Sequence, residues 1–161
     1  MMNETLKRHL GTAMIASAVA MVAGCSTVSG WMHRGGEESS PSRPSGFMQS
    51  VSLTGANEVP PVSTSAAGTG TVTVNPDHTV TAHITATGMQ ATASHIHMAA
   101  PGANGPVIVP FTKTGDNTFS APPGAKLTDE QYAAFKAGNT YVNVHSDAHK
   151  GGEIRAQLKG S

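Results

Sequence analysis

The strongest constraint on this chain is the strict alternation of apolar and polar residues between positions 70 and 87. Gly70-Thr-Val-Thr-Val-Asn75 places Val72 and Val74 on one face of an extended strand. Asn75-Pro-Asp-His78 is built from turn-forming residues. After it, residues 79–87 alternate again. Val80, Ala82, Ile84 and Ala86 face one way, and Thr79, Thr81, His83, Thr85 and Thr87 face the other. This pattern is a β-hairpin with one buried side. Further short strands are expected at 47–54, 93–98, 106–111, 139–145 and 153–158, separated by glycine- and proline-rich turns. One helix is expected at 129–136, capped by Thr128, acidic in its first turn through Asp129 and Glu130, and ended at Gly138. The fold class is all-β: an antiparallel, Greek-key-like sandwich or barrel with one short helix.

Applied to the histidines, the same alternation becomes chemical. There are eight of them, in a chain that is only 12% charged and has a single cysteine. With one cysteine, an internal disulfide and a thiolate cluster are both excluded. In Ser94-His-Ile-His-Met98, Ile96 should face the core, so His95 and His97 project together from the opposite face. Two such side chains lie roughly 6.5–7 Å apart at the backbone, and their rings can converge on one ion. In Tyr141-Val-Asn-Val-His145, Val142 and Val144 should point inward, which turns His145 outward. His149 follows on a turn that ends in Gly151-Gly152. If the two strands are neighbours, His95, His97, His145 and His149 can meet. Neutral imidazole suits copper, zinc, iron and nickel. It binds only when deprotonated, and with an unperturbed pKa of about 6.5, affinity should fall from pH 7 towards pH 5.

The remaining polar residues fit simpler roles. His78 sits in a turn and His83 on a threonine-rich exposed face. Met98 should pack inward with Ile96, and Met89, in a turn, is a weak thioether candidate. Glu58, Asp147 and Glu153 are acids without spacing suited to acid–base work. Glu153 and Arg155 share a strand face, so an ion pair is expected there. There is no G-x-S-x-G, phosphate loop, dinucleotide fingerprint or H-E-x-x-H. Ten basic residues against ten acidic ones leave no electrostatic footprint for nucleic acid.

The first 24 residues read as a targeting segment. Lys7, Arg8 and His9 precede an uncharged stretch from Leu10 to Val22, too short to cross a bilayer, which runs into Val22-Ala-Gly-Cys25. This resembles the lipobox of bacterial lipoproteins, which implies cleavage before Cys25, its lipidation and acylation of the new amine. Such chains contribute about 0.8 kcal/mol per buried CH₂, enough for permanent anchoring to a bilayer. Ser26 stands where an Asp would signal inner-membrane retention, so the outer membrane is expected. Residues 25–46 form a flexible Ser/Gly/Pro-rich tether, reaching about 25 Å root-mean-square at roughly 5–6 Å times the square root of its length. Residues 47–161 form the β domain.

Five ordered motifs then point to one family. Leu53-Thr-Gly-Ala-Asn-Glu-Val-Pro-Pro-Val62, Ser94-His-Ile-His97, Gly105-Pro-Val-Ile-Val109, Tyr141-Val-Asn-Val-His145 and Gly151-Gly-Glu-Ile-Arg155 together resemble the CHRD domain, the module named after chordin. The resemblance spans the whole β domain and implies an all-β, extracytoplasmic protein. The H-x-H on a strand also resembles the copper ligands of copper/zinc superoxide dismutases, though no bridging histidine or zinc-loop aspartate accompanies it. The expectation is a membrane-tethered envelope lipoprotein that binds copper, with zinc as the alternative, through His95, His97, His145 and His149, for sequestration or delivery. The competing readings are a metal-free structural or adhesion module and a dismutase-like enzyme.

Overall fold

The computed structural model describes residues 46–160. The expected signal segment, Cys25 and the tether up to residue 45 lie outside the described residues. The rest of the expected architecture is present. Strands β1 (Phe47–Thr54), β2 (Ala67–Val74), β3 (Val80–Thr87), β4 (Ala91–Met98), β5 (Val107–Pro110), β6 (Thr112–Gly115), β7 (Thr118–Ser120), β8 (Thr140–Ser146) and β9 (Ile154–Leu158) form one sheet. Its order is β5-β4-β8-β9-β1-β2-β3-β7-β6, and every pairing is antiparallel.

The sheet curls into a nearly closed barrel because one run of chain serves both of its edges. Residues 107–115 pair first with β4 and then with β7, with only Phe111 between the two segments. Phe111 N donates to Ser94 O at 3.0 Å, and the Lys113 ammonium reaches Ala91 O at 2.8 Å. The loosest seam is between β1 and β9, where Thr54 opposite Arg155 is the single register pair. There the Gln49 side chain bridges to the backbone of Lys159. The links from β3 to β4 and from β7 to β8 skip neighbouring strands, as a Greek-key arrangement requires.

Alternation decides the interior. Val72, Val74, Val80 and Ile84 from the hairpin meet Leu53, Ile96, Val109, Phe119, Val142, Val144, Ile154 and Leu158, all buried. The helix α1 (Asp129–Lys136) occupies the expected residues. Thr128 Oγ1 accepts from Gln131 N, and Gln131 Oε1 accepts from Thr128 N, which completes a capping box. This helix delivers Phe135 to the core, edge-on to Phe47.

Three local expectations are corrected. Strands β6 and β7 were not anticipated, because Thr112–Gly115 is exposed at every position and shows no alternation of polarity. Met98 is half-buried and outside the core: it is the last residue of β4, at the end of the strand. Glu153 and Arg155 form no ion pair. Glu153 accepts from the hydroxyls of Thr64 and Ser146, while Arg155 donates to Asn104 and Gln157.

Candidate metal centre

β4 and β8 are neighbours, with Ala93 opposite His145, His95 opposite Asn143 and His97 opposite Tyr141. Ile96, Val142 and Val144 point into the barrel. His95, His97, Tyr141, Asn143 and His145 therefore share the outer face. That face is not wet. His97 is 8% exposed, His145 9% and Asn143 1%, and His95 is half-buried. The cover comes from Glu58, far along the chain, and from the turns that directly follow β4 and β8. Glu58 and Asn104 sit over β9, the Gly105 carbonyl reaches His97, and the Lys150 carbonyl reaches His145.

These carbonyls set the chemistry of the rings. His97 Nδ1 lies 2.9 Å from Gly105 O, and His145 Nδ1 lies 3.0 Å from Lys150 O. A carbonyl oxygen only accepts, so both Nδ1 atoms carry protons and both neutral rings present a lone pair on Nε2. Fixing a tautomer through the far nitrogen is how proteins orient metal-binding histidines. His145 Nε2 faces His95 Nδ1 at 3.0 Å. His97 Nε2 is buried with no hydrogen-bond partner. A buried acceptor left unpaired costs about 1–3 kcal/mol, and a cation at that point would satisfy it.

One ligand nitrogen from each of His95, His97 and His145 lies within 4.8 Å of the other two. Two nitrogens bound to one zinc- or copper-sized ion at about 2.0–2.1 Å in tetrahedral geometry stand about 3.3 Å apart. The His95–His145 spacing of 3.0 Å is already close to this value, and the His97 nitrogen lies within 4.8 Å of both. An ion between them would replace the shared hydrogen, and His95 would carry its proton on Nε2 instead. These three histidines could hold a metal ion. The ring of His149 is outside the group. It lines a cleft of about 440 Å³ with Glu58, Asn104 and Gly152.

Protonation favours binding. Burial pushes His95 down to about 4, helped by the neighbouring His145 and His97. Burial also lowers His97 and His145, opposed in part by the carbonyls of Gly105 and Lys150. All three rings are thus neutral at pH 7. The expected proton competition between pH 7 and 5 moves to lower pH, most of all for His95.

A sequence model of the CHRD domain matches residues 49–158. The chain belongs to the CHRD family. No curated protein and no solved structure matches it. The five motifs of the CHRD resemblance, scattered from residue 53 to residue 155, converge on this one buried face. Arg155, 1% exposed, lies 3.4 Å above the Tyr141 ring, and Tyr141 stacks on His97 at 4.8 Å. Glu58 is buried beside them. Desolvation raises its pKa, opposed by the Arg155 charge. Gly152, at φ +130°, is required here, because a Cβ would fall 2.5 Å from Glu58 Oε1 and 2.8 Å from Asn143 Nδ2. In this CHRD domain, Tyr141, Asn143 and Arg155 lie inside the motifs but were given no part in the site. One signal was available: an asparagine inside a strand, where that residue is disfavoured unless its surroundings hold it.

Proposed function

We propose that this CHRD protein is a membrane-tethered envelope lipoprotein whose β domain binds copper through His95, His97 and His145, for sequestration or delivery. The observation that carries the reading is the buried, unpaired Nε2 of His97, beside the hydrogen-bonded ring nitrogens of His95 and His145. A thiolate-free, all-imidazole set suits Cu(II) or Zn(II) and survives an oxidising compartment. Copper is preferred to zinc because it lies higher in the affinity order for nitrogen sites. The lipobox-like Val22-Ala-Gly-Cys25 supports anchoring, and the absence of Asp after Cys25 supports the outer membrane. His149, on its adjoining turn, is proposed to adjust the site rather than to bind first.

The test is the metal content of the full chain purified without an affinity tag, followed by Cu(II) titration at pH 7. Near-stoichiometric uptake is expected, and the His95→Ala/His97→Ala double variant should lose it. Equal affinity in that variant would remove the site. A metal-free structural role has one observation in its favour, the hydrogen bond between His95 and His145, which satisfies that pair without an ion. Protein that takes up no copper or zinc would establish that role. The anchor is tested by Cys25→Ser, which should abolish detergent partitioning.

A further inference from the structure

The three histidines do not surround empty backbone. Asn143 lies directly opposite His95 in the β4–β8 ladder, and two residues before His145 on the same strand face. His97 is its diagonal neighbour across the ladder, because His97 pairs with Tyr141. Asn143 is therefore the side chain that neighbours all three rings. It is 1% exposed, and its Oδ1 has no hydrogen-bond partner. The amide neighbours His97 closely enough to favour the protonated form of that ring. Its Nδ2 lies on the Gly152 side, where only a glycine leaves room.

Two buried acceptors on neighbouring side chains, His97 Nε2 and Asn143 Oδ1, are thus each left without a hydrogen-bond partner. Each unpaired acceptor is costly, and placing two together is costlier still. A cation satisfies both at once. We infer that the side-chain oxygen of Asn143 is the fourth protein ligand of the His95–His97–His145 site, making an N3O donor set selective for a divalent ion. This inference rests on the metal-binding reading above. Three imidazoles and an amide oxygen are borderline-to-hard neutral donors, suited to Cu(II) and Zn(II). Cu(I) favours soft sulfur ligands, and the oxygen adds little to its binding.

The experiment uses the full chain, with Cu(II) alone and with Cu(I) held by a chromophoric competitor. Asn143→Ala should weaken Cu(II) binding about 10-fold or more while changing Cu(I) affinity less than about 2-fold. Because truncating a buried asparagine can disturb folding, a second measurement is made on the wild type. Electron paramagnetic resonance of the Cu(II) form is recorded in water enriched in the magnetic oxygen isotope. A protein oxygen in the fourth in-plane position leaves the copper lines unbroadened, whereas a water oxygen there broadens them. Unbroadened lines with three coupled imidazole nitrogens support the inference. Broadened lines, or equal Cu(II) affinity in a folded Asn143→Ala variant, overturn it and leave the three-histidine site standing. Wild type without any bound-copper signal overturns both.

Discussion

The β2–β3 hairpin and the β4–β8 pair obey the same alternation and reach opposite environments. In the hairpin, Val72, Val80 and Ile84 enter the core while Thr71, Thr81 and His83 face solvent. In the second pair, Ile96, Val142 and Val144 enter the same core, yet the other half-set, from His97 to Asn143 and His145, is buried as well. All seven residues of β8 are buried. A strand buried on both faces is normally a continuous apolar run. Here one face is apolar and the other holds rings, an amide and a guanidinium. Burying polar groups is unfavourable unless each finds a partner, and the outer layer meets part of that requirement with carbonyls from the turns that follow β4 and β8. Of the polar atoms left unpaired, those at His97 and Asn143 are on the side chains that neighbour the other two rings, and Glu58 Oε1 is a further one in the same layer. A barrel's outer face is thus inert where threonines meet water and chemically poised where loops exclude it.

The comparison breaks most readily at the shared interior. Phe119 stands opposite Ile84 and is 1% exposed. Phe119→Ala should cost about 3–5 kcal/mol in urea unfolding, because it opens a cavity that rigid strands cannot collapse. Copper affinity of the folded fraction should be unchanged, since the polar layer lies on the other side of the sheet. A loss below about 1 kcal/mol would mean that the interior is looser than its packing indicates.

Next in size is the contrast between histidines. His97→Ala should weaken Cu(II) binding about 100-fold, equivalent to ~2.7 kcal/mol. His83→Ala, on the exposed face, should leave it unchanged in the same competition titration. A larger effect at His83 would reverse the functional assignment of the two faces.

Acid sharpens the difference further. In the unfolded chain an imidazole takes up its proton near pH 6.5, whereas folded His95 does so only at about 4. Between these values the unfolded state binds more protons, so stability is complete above pH 6.5 and declines as pH falls towards 4. Thermal midpoints of the metal-free protein should drop across this window, and His95→Gln should flatten the decline. A flat wild-type profile would show that the covered face is wet in solution.

The smallest effect belongs to the open face. Thr81→Ala should change stability by less than about 0.5 kcal/mol, as expected for an exposed position with no specific partner. A loss of 2 kcal/mol or more (~4 times that bound) would reveal a partner for this face.

The sequence by itself determined the strands that alternate in polarity, β6 and β7 excepted, and which histidines leave the core. These are local consequences of a two-residue period, so β1 and α1 occupy the residues expected of them. It also carried the family, because the five motifs are contiguous words in the chain. It did not show that the outward side of β8 is covered. Tyr141, Asn143 and Arg155 looked like surface residues of a half-exposed strand, and Glu153 looked like a partner for Arg155. Their real neighbours, among them Glu58, Asn104 and Gly105, come from loops distant in the chain, which local periodicity does not place. Tertiary structure alone decided that His95, His97 and His145 converge while His149 stays outside the group. Alternation fixes a direction, but the distance between two rings depends on strand order and register, which only the closed sheet sets.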